Sequence, residues 1–258
     1  MDIFKNKYYI IRTGDFATDA NKKIIYTFLS IALCIHDYIA KNTTEYFIIM
    51  MGSSFIWTLI ELFLNERKVR IIKPMKLTYN NKTIILNKYF GICLQGIQEG
   101  GVVTIIGLYF GDRFFSYTYQ TIYHIIITYM VVNMMKKESN LKILSKREIN
   151  TPGSLLLMSS ATVYNGIMLY YNPSHLYRSL NMFLSMIYIS SIWSVVSYIK
   201  EFRKVEVQIY SIDKYVVRKD TLLDAFLILG YDVIFEIGIA YITFYNMFII
   251  PCNKFMIA

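Results

Sequence analysis

Proline is scarce in this chain. The 258 residues hold four, Pro74, Pro152, Pro173 and Pro251, and none interrupts a long apolar run. A proline inside a helix removes a donor and clashes with the preceding turn. The broken spans on which many secondary transporters build their sites are therefore not expected. Cysteine is scarcer: Cys34, Cys93 and Cys252 form no Cys-x-x-Cys and no pairable spacing, which argues against a disulfide framework and for free thiols. The three histidines, His36, His124 and His175, lie in three separate segments without His-x-x-x-His or His-Glu-x-x-His spacing, so neither a metal nor any other cofactor is expected. No Gly-x-Ser-x-Gly marks a hydrolase nucleophile. Acidic residues are outnumbered, 18 against 27 basic. The basic excess does not interleave with aromatics along a soluble stripe, and nucleic acid is not an expected partner.

What the chain has is apolar length: 55% of its residues are hydrophobic, gathered in runs between charged clusters. A membrane helix needs about 20 apolar residues and tolerates about 17. Seven segments qualify, at 24–40, 46–64, 89–110, 114–135, 154–171, 180–199 and 222–250. The last is long enough to tilt or to begin in water. The expected fold is an all-α integral membrane protein, a single multi-pass bundle of seven transmembrane helices with the lipid bilayer as its solvent. No cleavable signal peptide is expected, because a polar leader of 23 residues precedes the first run.

The basic residues test this division. The leader 1–23 and the loops 65–88, 136–153 and 200–221 hold 23 of the 27 Lys and Arg. Such a bias predicts that these segments face the cytoplasm, with the N-terminus cytoplasmic and the C-terminus outside. Two of the loops read as partly extended. "MKLTYNNKTIIL" sets Asn80-Asn81 between β-prone runs, a hairpin signal. "KVEVQIYSIDKYVV" alternates Val205, Val207 and Ile209 with polar neighbours, as a half-exposed strand does. Two outcomes are open for them: pairing as a small sheet beneath the membrane, or two amphipathic surface loops.

Polar residues inside the runs carry the functional reading. In "GICLQGIQEGGVV", Gln95, Gln98 and Glu99 fall on one helical stripe, while Gly96, Gly100 and Gly101 admit a close neighbour. The fourth run repeats Ser116, Gln120, His124 and Thr128 at four-residue intervals, and the seventh carries Asp232 and Glu236 one turn apart. An ionisable residue facing lipid at mid-membrane costs roughly 2.5–3.5 kcal/mol on insertion scales. Glu99, His124, Asp232 and Glu236 are thus expected to share a polar interior formed by spans three, four and seven. No Lys or Arg lies within the core of any run, and acids without basic partners suit protons or small cations.

The expected function is accordingly a proton or cation channel or transporter, its path lined by Gln95, Gln98, Glu99, Gln120, His124, Asp232 and Glu236. The first alternative is an intramembrane enzyme acting on a lipid substrate. His36, Asp37, Asp112 and His175 gather toward the expected outer side, where they would serve as acid and base or as metal ligands. The second is a structural or assembly protein without turnover. The last run has no lysine, which excludes a retinal Schiff base.

Overall fold

The computed structural model describes residues 5–13, 18–67, 74–80, 82–136, 143–212 and 214–256. Within them all seven apolar segments are helical. α1 is Ala20–Lys41, α2 Glu45–Glu66, α3 Lys88–Asp112, α4 Tyr117–Met135, α5 Pro152–Tyr171 and α6 Leu176–Ile199. α7 runs from Leu222–Tyr231 through Asp232–Ile239 into Ala240–Met256. Local chemistry fixes several starts. Asp19 accepts from the Lys22 amide at 3.3 Å, Asn87 caps α3, and Thr151 precedes Pro152 at the first turn of α5. Thr221 and Asp224 close a reciprocal capping box at the head of α7.

Five helices are long and apolar enough to cross a membrane: Ala20–Lys41, Glu45–Glu66, Lys88–Asp112, Pro173–Ile199 and Leu222–Cys252. The main core lies among them, around Tyr46, Ile49, Leu108, Met182, Tyr245 and Ile249. α4 and α5 are less apolar and lie at the periphery. α4 buries only Tyr123, Ile127 and Met134, and α5 buries only Asn165.

Three-residue or similarly short turns join α1 to α2, α3 to α4 and α5 to α6, so these pairs are antiparallel. The longer connections all fall at the opposite end, and they carry the strands: β1 Lys7–Thr13, β2 Lys76–Tyr79, β3 Lys82–Ile85, β4 Ile143–Glu148, β5 Arg203–Ser211 and β6 Lys214–Arg218. We call the two ends the turn end and the strand end. Both extended loops form strands as expected, but they do not pair with each other. β2 and β3 form their own hairpin, with Asn80 in the left-handed conformation at φ 46°, which asparagine tolerates. Asn81 and the loop segments 68–73, 137–142 and 213 lie outside the described residues. β5 instead joins an antiparallel sheet of order β4-β1-β5-β6, built partly from the leader, which the sequence pattern left unassigned.

Register decides what that sheet shows the bundle. Across it, Tyr8 stands opposite Val207, Ile10 opposite both Val205 and Arg147, and Arg12 opposite Arg203. Directly opposed residues share a face. One face of the sheet is therefore apolar over half its length and arginine over the other half. The apolar half packs on Ala225, Ile228 and Leu229 of α7. The first turns of α7 thus lie beside the sheet.

Candidate functional site

Among the described residues only two stretches are π-helical, Ile97–Val102 within α3 and Asp232–Ile239 within α7. These are the stretches that carry Glu99, Asp232 and Glu236. In the first, glycine lets α2 come very close. A Cβ at Gly96 would stand 2.5 Å from the Thr58 Cα, and one at Gly100 would meet the Ser53 backbone and the Trp57 side chain. The expected role of these glycines holds, and Trp57 is brought directly onto the acid as a result.

Glu99 is gripped from several sides. The Trp57 indole N–H donates to its Oε2 at 3.2 Å, and the Gln95 amide donates to its Oε1. Lys23 in turn donates to the Gln95 carbonyl at 2.7 Å. The Tyr241 hydroxyl donates to the Glu99 backbone carbonyl, with its ring stacked on Trp57. Gln98 is adjacent, and its buried amide oxygen meets no donor among the described residues.

The arginines of the sheet complete the centre. Arg203 donates to Asp232 Oδ2 at 2.5 Å and to the Ser194 hydroxyl at 3.1 Å. Arg147 bonds Asp232 Oδ1 at 3.2 Å and also Glu236. Arg12 lies 3.9 Å from Glu99 and within electrostatic reach of Asp232. Asp232 is 2% exposed and Arg203 7%, whereas Arg147 and Arg12 retain side-chain exposures of 37% and 29%. The centre is thus sealed at Asp232 and open towards the strand end. This corrects the premise that the acids lack basic partners. Lys23 at the head of α1 reaches Glu99 through Gln95, and β1, β4 and β5 each send in one guanidinium. Such charge pairs are what permits ionised carboxylates to be buried at all.

The structure brings Gln95, Gln98, Glu99, Asp232 and Glu236 together at this centre. It does not bring Gln120 and His124 there. The apolar side of α4 is the one that packs, through Tyr123 against Phe110 and the Ser185 carbonyl. The Ser116–Gln120–His124–Thr128 stripe is turned away from the centre. Gln120 donates to the Phe114 carbonyl, and His124 is exposed, with Nδ1 2.7 Å from the Gln120 carbonyl and its ring beside Tyr188. A helical stripe defines a face but not its direction. Here aromatic burial against α6 sets it.

At the turn end the four expected residues do gather, but as members of a network of ion pairs. Asp37 receives the Arg113 guanidinium at 2.8 Å, and Asp112 receives Arg178 in a two-pronged bond at 2.7 and 2.8 Å. Lys41 joins both acids, at 3.2 and 2.8 Å. Arg178 also reaches Glu45 at 2.7 Å, and the Tyr46 hydroxyl donates to Asp112 at 3.0 Å. His36 and His175 each pair with a tyrosine hydroxyl, Tyr109 at 3.1 Å and Tyr245 at 2.7 Å. Among the described residues no three His, Cys, Asp or Glu side chains are grouped to hold a metal ion.

On the solvent side of the sheet, Glu206 is held below the usual carboxylate range. Partial burial works against its charge, but the Lys146 ammonium at 2.7 Å and the Gln208 amide outweigh that cost.

No family model, no curated protein and no solved structure matches this chain.

Proposed function

We propose that this is a seven-span membrane protein, N-terminus cytoplasmic and C-terminus outside, whose inner carboxylates carry protons or small cations. The orientation follows from 23 of 27 basic residues falling in segments that lead to the strand end. α4 and α5 complete the seven, turning Ile122, Ile125, Ile126, Leu156, Leu157 and Val163 outward where lipid would meet them.

The observation that carries the transport reading is the coincidence of π-helix with charge. Both π-helical stretches bear the inner acids. Turns of this kind are rare and frequently mark functional sites, whereas helices held together by polar glue need no such distortion. The chemistry follows from the partners. A guanidinium does not lose its proton, so Arg147 is a fixed cation shared by two carboxylates. Asp232 keeps a second arginine, Arg203, but among the described residues Glu236 is ion-paired only with Arg147. A proton arriving at Glu236 neutralises it and releases its hold on Arg147, which stays on Asp232. Loss of the proton restores the pair. Glu99, reached by the partly open Arg12, is the second exchanging group. The lipid-enzyme alternative gains nothing from the turn end, where both aspartates are occupied by cations.

The test is proton flux into liposomes holding the purified protein, beside Glu99→Gln and Glu236→Gln. Flux in the native protein and its loss in both variants is the expected outcome. An inserted, folded protein that passes no protons would sink the proton version. Flux unchanged in both variants would remove these acids from the path.

A further inference from the structure

The β2–β3 hairpin is a two-stranded ribbon, with no third strand among the described residues. Such a hairpin is marginal in water by itself. Among the described residues it is fastened along β2: Asn21 at the head of α1 makes a double bond with the Thr78 backbone, 2.8 Å each way, and Asp19 forms a single bridge with Lys76, while the Leu86 amide closes the ribbon's own end on the Met75 carbonyl at 2.9 Å. Met75 and Leu77 pack near Ala20 and Leu94, at the starts of α1 and α3. The rest is bare. Leu77 pairs with Ile84 and Lys76 with Ile85, so the adjacent isoleucines point to opposite faces. Yet Ile84 is 55% exposed, Ile85 67% and Tyr79 72%.

A protein partner docking on one face would leave the other isoleucine in water. A medium that surrounds the ribbon covers both. The charge says which medium. From Arg67 to Gln98 the chain has seven Lys or Arg and no Asp or Glu. Lys76 and Lys82 lie on the ribbon itself, and Lys88 opens α3 beside the exposed rings of Tyr89 and Phe90. Basic residues with aromatic and aliphatic neighbours at the head of a span are the chemistry of an anionic membrane surface.

We infer that the β2–β3 hairpin is immersed in the headgroup layer of the anionic leaflet, with Tyr79, Ile84 and Ile85 at the acyl boundary and its lysines on the lipid phosphates. The inference goes beyond transport and rests on the membrane-spanning part of the reading above. Held there, the hairpin fixes the depth of α1 and α3, and with them the height of Glu99 and Lys23.

The experiment places Ile84→Cys or Ile85→Cys in a Cys93→Ser, Cys252→Ser background and labels it with an environment-sensitive fluorophore. Each protein is put into nanodiscs of phosphatidylcholine with and without phosphatidylserine. With phosphatidylserine, both positions are expected to emit to the blue and to be quenched by lipids carrying a nitroxide near the headgroup. Lys76→Gln, Lys82→Gln and Lys88→Gln are each expected to lower the inserted-to-withdrawn ratio about fivefold, the equivalent of about 1 kcal/mol per basic residue at an anionic surface. A water-like emission at either position, in protein that has entered the disc, overturns the hairpin inference alone. Protein that does not enter the disc overturns the spanning reading and the hairpin inference with it.

Discussion

The strand end and the turn end of the bundle both hold carboxylates against basic side chains, and they build the pairing differently. At the turn end Asp37, Glu45 and Asp112 meet Lys41, Arg113 and Arg178, all on helices or directly after one. At the strand end Glu99, Asp232 and Glu236 sit on helices, while Arg12, Arg147 and Arg203 come from three strands of a separate sheet. The turn-end pairs therefore lock helix to helix. The strand-end pairs lock the helices to a sheet. They also coincide with the two π-helical stretches, which the turn end lacks among the described residues. The two ends use the same kinds of side chain; what differs is the scaffold that holds each partner.

Removing cations one at a time should separate the two ends most strongly. Arg203→Ala leaves the buried Asp232 short of its nearest partner, and losing one member of a buried pair costs about 3–5 kcal/mol. Thermal unfolding in detergent should show it as the largest single loss; a loss under about 1 kcal/mol would mean that Asp232 is satisfied without the sheet. Arg178→Ala removes the two-pronged bond to Asp112 and the bond to Glu45 from a more open site, for about 2–3 kcal/mol. Its flux per folded molecule should be unchanged.

Smaller effects sharpen the boundary of the site. His124→Ala should shift stability by no more than about 0.5 kcal/mol, since the ring is exposed. Flux lost in that variant, with the fold intact, would restore His124 to the path. The smallest effect belongs to the outer face of the sheet. Glu206 has its folded pKa lowered, so its pair with Lys146 stabilises the fold above the unfolded value of about 4.3 and fades as pH falls through the lowered one. Lys146→Gln should remove that pH-dependent increment, about 0.5 kcal/mol for a surface pair, and urea titration across this range reads it.

The helices were legible because apolar length is a strong signal, and Glu99, Asp232 and Glu236 because charge inside such a run has few places to go. Their partners were hidden by the same logic. Arginine beside a span reads as an orientation marker, and Arg12, Arg147 and Arg203 all carry that reading. One clue existed: Val205 and Val207 alternate inward along β5, and the same parity one step back gives Arg203. No such clue reached Arg147. β4, "ILSKRE", has no apolar alternation, and it is a strand because β1 pairs with it. β1 in turn breaks its alternation at Ile10-Ile11. Pairing between leader and distant loop is a tertiary fact that local pattern does not contain. The π-helical turns were equally silent in the sequence, apart from Gly100-Gly101.

The most direct measurement compares one neutralised acid from each end. Proton flux per folded molecule in liposomes would be recorded for Glu236→Gln and for Asp112→Asn, with insertion and unfolding temperature measured on the same samples. Glu236→Gln should end the flux in a folded protein, while Asp112→Asn should keep the flux and lose stability. Flux that survives Glu236→Gln, or that ends equally in both, would contradict this expectation.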